Sequence, residues 1–238
     1  MDLKIKCVNT TTSSDGSNYG KFVCEPLERG FGITIGNALR RILLSSLQGA
    51  AIVSVKFDNV VHEFSSIPGV IEDVTEIILN LKEINLRLID VEEAVLSLSV
   101  DGEGVVTAGD ISQNEEVEIL NPEKQIATLS KKGKLNMEMV VKMGKGYVPA
   151  EKDSASNNEI GEILIDASFS PIKKVNYIIS NARVGQKTDY DRLTIEIFTD
   201  GSVLPEDALS YSAKILKEQM TPFINFEEEA EPDEIEEE

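Results

Sequence analysis

The chain has 238 residues, of which 41% are hydrophobic, and this is enough to bury the core of one large domain or two small ones. Its 42 acidic and 23 basic residues give a formal net charge of −19. Because proteins bind the phosphate backbone through clustered Lys and Arg, this balance argues against direct nucleic-acid binding as the main function. The acidic excess is uneven, since residues 227–238 contain nine carboxylates and no basic residue. We interpret 229–238 as an acidic, disordered tail or linker.

The sequence shows no membrane signal. No segment approaches the roughly 20 consecutive apolar residues of a membrane-spanning helix, and the N-terminal MDLKIK lacks the apolar part of a signal peptide. We therefore expect a protein of the cytoplasm that does not bind a membrane.

The N-terminal residues predict a β-hairpin. The segments LKIKCV and GKFVCEPL read as strands, and the polar run between them contains the turn dipeptide Asp15-Gly16. If that dipeptide forms the turn, Cys7 and Cys24 lie opposite each other. A cross-strand disulfide is then one possibility, and two reduced, buried thiols are the other.

Residues 27–46 predict an amphipathic helix that Thr34 caps and that continues to about Ser46. One side of this helix is apolar and contains Ile35, Leu39, Ile42 and Leu43. The opposite side places Leu44 among Asn37, Arg40, Arg41 and Gln48. An exposed leucine beside arginines is typical of the centre of a protein interface, although single exposed leucines are also common on monomers.

Two further helices are predicted. The second follows Pro68-Gly69, with an apolar side formed by Val70, Val74, Ile77, Ile78 and Leu81 and a polar side of ordinary solvated type formed by Glu72, Asp73, Glu76 and Lys82. The last begins at Pro205. Its apolar residues cover more than half of its circumference, so it can meet a second chain as well as a sheet.

Most of the remaining sequence predicts strands. AIVSVKFD and VVHEFSS have strand character, the alternation continues from about residue 84 to 148, and three more strands follow the polar, loop-like residues 152–158. Helices and strands do not alternate regularly, and no internal repeat is visible.

A search for catalytic or metal chemistry is mostly negative. The sequence has no G-x-S-x-G nucleophile motif and no acidic metal loop of the D-x-D-x-D-G type. Two cysteines and one histidine, His62, are too few for a Cys/His metal site. The glycines around Lys145 lack the length and the trailing Lys-Ser/Thr of a phosphate-binding loop, and a tight turn is the better interpretation. We therefore expect no catalytic residue, no metal site and no cofactor on this chain.

Five segments resemble the signature of bacterial RNA polymerase α subunits. They are EPLERGFGITIGNALRRILLSS (25–46), HEFSSIPGVIEDVTEIILNLK (62–82), GKGYVPA (144–150), IDASFSPIKKVNY (165–177) and ARVGQKTDYDRLTIEIFTDGS (182–202). The resemblance spans nearly everything before the acidic tail, and its first block is long enough to be highly specific.

The resemblance implies an α+β fold with two domains. A discontinuous α/β dimerisation domain would consist of 1–48 and 173–228, and a mostly β inserted domain that contacts the partner subunits would consist of 49–172. Family members usually continue beyond an acidic or flexible linker into a small DNA-binding domain. Because this sequence ends in the acidic segment, we expect DNA contact only indirectly, through the complex.

The resemblance also implies partners and contact residues. The chain would form a homodimer through Phe31, Ile35, Ile42, Leu216, Met220 and Phe223. One protomer would contact the RNA polymerase β subunit through Arg41, Leu44 and Glu76. The other would contact the β′ subunit through Lys82, Ile165, Ile172 and Arg192. The chain would then be the non-catalytic assembly platform of a nucleotidyltransferase complex in DNA-templated transcription.

The alternative from another class is a free-standing, acidic, homodimeric small-molecule enzyme or binding protein. It predicts ligand binding or turnover by the isolated chain, without large partners. A DNA-binding regulator fits poorly because of the acidic charge.

Overall fold

The structure, a computed structural model, describes residues 4–13, 16–58, 60, 62–112, 114–150, 161–184 and 187–224. The helices are α1 (Phe31–Ser45), α2 (Val74–Leu81) and α3 (Pro205–Ile224). The strands are β1 (Lys4–Thr12), β2 (Asn18–Leu27), β3 (Gln48–Phe57), β4 (Leu86–Leu88), β5 (Glu93–Asp101), β6 (Gly104–Thr107), β7 (Val117–Ile119), β8 (Gln125–Leu129), β9 (Lys134–Lys145), β10 (Tyr147–Val148), β11 (Glu162–Leu164), β12 (Ala167–Ser168), β13 (Ile172–Val184) and β14 (Lys187–Thr199). The predicted tail 229–238, the loop 152–158 and Asp15 lie outside the described residues.

The two ends of the chain build one antiparallel sheet. Its strand order is β1-β2-β14-β13, so β2 near the start pairs with β14 near the end, with Phe22 opposite Ile195. Helices α1 and α3 pack on this sheet and on each other. Together they enclose a core of Phe22, Leu27, Leu39, Leu43, Leu47, Ile172, Val175, Leu193, Ile195, Ile197 and Ala208. We call this assembly of β1, β2, α1, β13, β14 and α3 the terminal unit.

The middle of the chain builds a second core. A four-stranded antiparallel sheet in the order β11-β3-β9-β5 is joined by α2 and by three two-stranded sheets. Strand β5 alternates strictly between exposed and buried residues from Glu93 to Ser99, as a strand with one solvated face does. The buried cluster of this part extends along the chain from Ile52 to Ile165. We call β3 to β12 with α2 the inserted unit.

The fold class predicted from the resemblance is confirmed: the fold is α+β, and the described residues form three α-helices, mostly antiparallel strands and two separate cores. The exact domain limits at 48 and 172 stay a prediction.

Three local predictions were wrong. Helix α1 begins at Phe31, with Gly30 rather than Thr34 as the capping residue, because a carboxylate from a distant strand satisfies its first N–H groups. VVHEFSS forms no strand among its described residues, since its apolar Phe64 points to solvent and the segment forms a loop before α2. In the hairpin, Cys7 pairs with Phe22 and Cys24 with Ile5, so the two thiols are not opposite each other and both are free.

Candidate subunit-assembly surfaces

The start of α1 is held by Asp191 of β14. Gly30 has a positive φ of 89°, and no side chain of its own segment caps the helix. Instead, the Asp191 carboxylate accepts the backbone N–H of Gly30 at 2.9 Å and that of Gly32 at 3.2 Å. A carboxylate at a helix N-terminus also interacts favourably with the helix dipole. This contact fixes the position of α1 on the sheet.

Two glycines let α1 lie close to the sheet. A Cβ atom added at Gly36 would lie 2.9 Å from side-chain atoms of Leu193 and Tyr177, and one added at Gly32 would lie 3.0 Å from Asp191. With Leu39 and Leu43, these glycines form the buried side of the helix at helical spacing. The opposite side is thereby directed away from the sheet.

That opposite side contains two of the predicted β contacts. Leu44 keeps 38% of its surface exposed, and its predicted exposure is confirmed. Arg41 is also exposed, and its guanidinium makes no hydrogen bond or ion pair with a described residue. Because residues three apart are neighbours on a helix surface, Arg41 and Leu44 form a joint polar and apolar patch.

Helix α2 supplies a second exposed stripe. Asp73 caps the helix by accepting the N–H of Glu76 at 2.7 Å. Glu76, Leu79 and Lys82 follow at three-residue spacing and all three are exposed, Leu79 by 55%. The stripe therefore contains an acid, an apolar side chain and a base within two turns.

Lys82 belongs to a polar cluster with Asp166 and Tyr147. The ammonium group of Lys82 donates to Oδ1 of Asp166, and the Tyr147 hydroxyl donates to Oδ2 at 3.1 Å. The hydrogen bond from Lys82, with that from Tyr147, holds the pKa of Asp166 below its ordinary value despite partial burial. The hydrogen bond to Asp166 raises the pKa of Tyr147. The cluster orients Lys82 at the edge of the α2 stripe.

The remaining predicted β′ contacts differ in exposure. Arg192 is exposed on β14 and pairs with Glu25 of the neighbouring strand. Ile165 and Ile172 are 4% and 5% exposed and belong to the two cores. Their burial leaves little surface for a direct contact, so we treat them as support for their exposed neighbours.

Two of the predicted dimer residues, Ile35 and Leu216, belong to the lining of an apolar cleft in the terminal unit. The cleft has a volume of about 320 Å³ and lies between the sheet, α1 and α3. Its lining is Ile5, Phe22, Cys24, Ile35, Leu39, Leu193, Ile195, Leu209, Ala213, Leu216 and Lys217. Phe31, Met220 and Phe223 are more than half exposed, while Ile35, Ile42 and Leu216 are partly buried. All six predicted dimer residues thus present surface, and two of them line the cleft.

Sequence reasoning missed several residues of these surfaces. The exposure of Leu79 could have been predicted, because it lies three residues after Glu76 and three before Lys82. The sequence interpretation treated that side of the helix as polar and did not include it. Phe64, 82% exposed, was hidden because its segment was interpreted as a strand. Asp166 and Asp191 carry no local signal, since their partners are distant in the chain.

Two kinds of feature are absent from the described part of the chain. No three His, Cys, Asp or Glu residues there are grouped so that they could hold a metal ion. None of the described helices has both the length and the hydropathy that crossing a membrane requires.

Comparison with known proteins gives consistent results. A family model described as the RNA polymerase Rpb3/RpoA insert domain matches residues 55–170. The DNA-directed RNA polymerase subunit alpha of Geobacter metallireducens is 60% identical over 227 residues, covering 95% of this chain and 67% of the relative. The subunits of the same name from Pelobacter propionicus and Desulforapulum autotrophicum are 62% and 59% identical, covering 97% and 98% of this chain and 68% of each relative. The chain therefore spans about two thirds of the length of these relatives.

Proposed function

Because the chain belongs to the family of DNA-directed RNA polymerase alpha subunits, we propose that it forms a homodimer on which the β and β′ subunits of that polymerase assemble. The observation that carries this proposal is the apolar cleft beside the exposed apolar end of α3 on the same unit. We assign no catalytic residue to this chain.

The cleft and the end of α3 are complementary to each other in chemistry. The cleft is lined almost entirely by apolar side chains, and the helix end carries Met220, Phe223 and Ile224, each more than half exposed. In a two-fold dimer the same surface of each copy faces the other, so the helix end of one protomer can fill the cleft of its partner. Burial of this apolar surface would supply the free energy of dimerisation.

The partner subunits would use different surfaces of the two protomers. A two-fold dimer offers two copies of every patch, yet β and β′ are different proteins, so the partners themselves must break the symmetry. We assign Arg41, Leu44 and Glu76 to β, and Lys82 and Arg192, supported by Ile165 and Ile172, to β′. Arg41 suits such a contact because a guanidinium makes several directional hydrogen bonds and is weakly hydrated.

The alternative of a free-standing small-molecule enzyme has no support from the relatives, which are polymerase subunits over nearly the whole of this chain.

The proposal is tested by size-exclusion chromatography with light scattering on the chain alone and with co-expressed β subunit. We expect a dimer that takes up one β subunit per two chains. Arg41→Ala should leave the dimer intact and prevent β uptake, because it removes an interface guanidinium that forms no hydrogen bond or ion pair with a described residue. Arg40→Ala, the exposed neighbour outside the assigned set, is the matched control.

A monomer that ignores β would contradict the proposal. Normal β uptake by Arg41→Ala would contradict the assignment of that residue and leave the dimer role standing.

A further inference from the structure

Each proposed partner surface combines residues of both units. Of the β set, Arg41 and Leu44 lie on α1 of the terminal unit, whereas Glu76 lies on α2 of the inserted unit. Of the β′ set, Lys82 follows α2, whereas Arg192 lies on β14. A partner can contact both parts of its surface only if the two units keep one relative orientation.

A polar junction connects the two units, and it begins three residues after Lys82. The side-chain amide of Asn85, between α2 and β4, donates to the backbone carbonyl of Asp200 at 3.1 Å. Asn85 is itself fixed within the inserted unit, since its backbone N–H donates to Asn121 Oδ1 at 2.8 Å. The buried Asn121 also donates to the carbonyl of Glu83 at 2.9 Å. The donor side of the junction is therefore rigid.

The acceptor side is fixed as well. Asp200 begins the turn between β14 and α3, and its Oδ1 accepts the N–H of Ser202 at 2.9 Å and the Ser202 hydroxyl at 2.6 Å. Its own N–H donates to the carbonyl of Pro171 at 3.0 Å. Gly201 has a positive φ of 100°, and a Cβ atom there would lie 2.3 Å from the carbonyl oxygen of Gly16. The turn therefore packs against the hairpin on one side and is hydrogen-bonded to the inserted unit on the other.

From this arrangement we propose that Asn85 is a positioning residue, which holds the two units at the angle that the β and β′ subunits require. The inference rests on the proposed assembly role. Units joined by two chain crossings move relative to each other unless contacts prevent it. A hydrogen bond between two fixed groups restricts that motion before binding, and the partner then loses less conformational entropy on association.

Two substitutions test the junction. Asn85→Ala deletes the amide that reaches Asp200, and its backbone N–H still bonds to Asn121. Asn85→Asp keeps the size of the side chain and places a carboxylate oxygen opposite the Asp200 carbonyl, so its effect should be larger. Asn114→Ala is the matched control, because the Asn114 amide also donates to a backbone carbonyl, that of Val95 at 3.3 Å, but within the inserted unit.

The orientation is measured by electron spin resonance distance distributions. Nitroxide labels are attached after Glu103→Cys in the inserted unit and Asp207→Cys in the terminal unit, both exposed positions, in a chain carrying Cys7→Ser and Cys24→Ala. Labelled chains are diluted with excess unlabelled chain, so that one protomer of each dimer is observed. Affinities for β and β′ are measured by calorimetry on the same variants without labels.

We expect Asn85→Ala to dimerise and to unfold cooperatively, with a broader distance distribution than the unsubstituted chain. Binding of β and β′ should weaken between about two- and tenfold, the range of one hydrogen bond. Asn114→Ala should leave the distance distribution and both affinities unchanged. If Asn85 only stabilised the fold, Asn85→Ala would not broaden the distance distribution.

The inference would be overturned if the distance distribution were unchanged in both Asn85 variants. It would also be overturned if the distribution broadened while the affinities for β and β′ stayed the same. An unsubstituted dimer that binds neither β nor β′ would overturn the proposed function instead. The distance distributions would still decide whether Asn85 sets the angle.

Discussion

The carboxylate of Asp191 accepts the backbone N–H of Gly32, a residue 159 positions earlier in the chain. This bond and the matching one from Gly30 place the helix that carries Arg41 and Leu44 at a defined point on β14. The N-terminus of α1 is therefore set by β14, the last strand in the chain.

Asp191→Ala should lower the free energy of unfolding by about 1 kcal/mol, because two N–H groups at the start of α1 lose their acceptor. Urea denaturation followed by circular dichroism measures the change. Asp189→Ala, an exposed carboxylate on the same strand, is the control and should have almost no effect. Equal stability of the two variants would show that the cap contributes nothing.

Gly36→Ala should destabilise the chain by about 1–3 kcal/mol, since the added methyl group overlaps Leu193 and Tyr177 and pushes α1 away from the sheet. Gly104→Ala, where no atom lies within 4 Å of the added Cβ, is the control. Thermal unfolding of both variants tests the prediction, which fails if the midpoint of Gly36→Ala matches that of the control.

Phe223→Asp should convert the proposed dimer into monomers, because it puts a charge on the apolar end of α3. The matched control is Ile71→Asp in the inserted unit, since Ile71 is 73% exposed and Phe223 is 77% exposed. Light scattering at several concentrations reads out the mass. A Phe223→Asp dimer as tight as the control would place the interface elsewhere.

The pKa shifts of Asp200 and Asp166 are opposite in direction, so the two carboxyl groups should change the free energy of unfolding with pH in opposite ways. Burial raises the pKa of Asp200 in the folded chain above its ordinary value. The protonated carboxyl group therefore favours folding at a pH below the ordinary pKa, and this contribution is lost as the pH rises through the pKa of the folded state. Asp200→Asn, whose amide oxygen can still accept from Ser202, should therefore be at least as stable as the unsubstituted chain at pH 7. Its advantage should shrink as the pH falls to about 4.

The pKa of Asp166 is lowered by its hydrogen bond from Lys82, so its contribution is present above the ordinary pKa and is lost as pH falls through the folded value. Asp166→Asn should be less stable at pH 7, with a deficit that decreases in acid. Urea midpoints of both variants between about pH 2.5 and 7 check the signs, because the folded pKa of Asp166 lies below its ordinary value of 3.8. If the urea midpoints of Asp200→Asn and Asp166→Asn changed with pH in the same way, the opposite pKa shifts of the two residues would be refuted.

The two cysteines should differ in reactivity. Cys7 is exposed, whereas burial raises the pKa of Cys24, which also lines the apolar cleft. Since the thiolate is the reactive form, Cys7 should be alkylated first. Peptide mass mapping after brief iodoacetamide treatment at pH 8 shows the order, with unfolded chain as the reference for equal exposure. Equal rates in the folded chain would contradict the burial of Cys24.

The sequence predicted those features that depend on local periodicity. The outward position of Leu44 followed from its angle to Leu39 and Leu43, and the start of α3 followed from Pro205. Both depend on residues within two helical turns, so a single segment contains all the information required.

Features that depend on distant partners could not be predicted in this way. Nothing around Thr34 indicates that a carboxylate from β14 will take over the capping of α1. The pairing of Cys7 with Phe22 depends on a register shift between Cys7 and Asn9 that no turn dipeptide specifies. The bond from Asn85 to Asp200 joins residues 115 positions apart and has no signature in either segment.

The pairing of β2 with β14 also governs the order of events during synthesis. All four strands of the inserted sheet have been made by residue 164, whereas β2 has no neighbour on its inner edge until β14 emerges. At about 5–20 residues per second, the apolar side of α1 waits on the order of ten seconds for the strands that cover it. Contacts so far apart in the chain also close slowly, because a long loop must be ordered first. We therefore expect the nascent terminal unit to aggregate more readily than the inserted unit until β14 and α3 have left the ribosome.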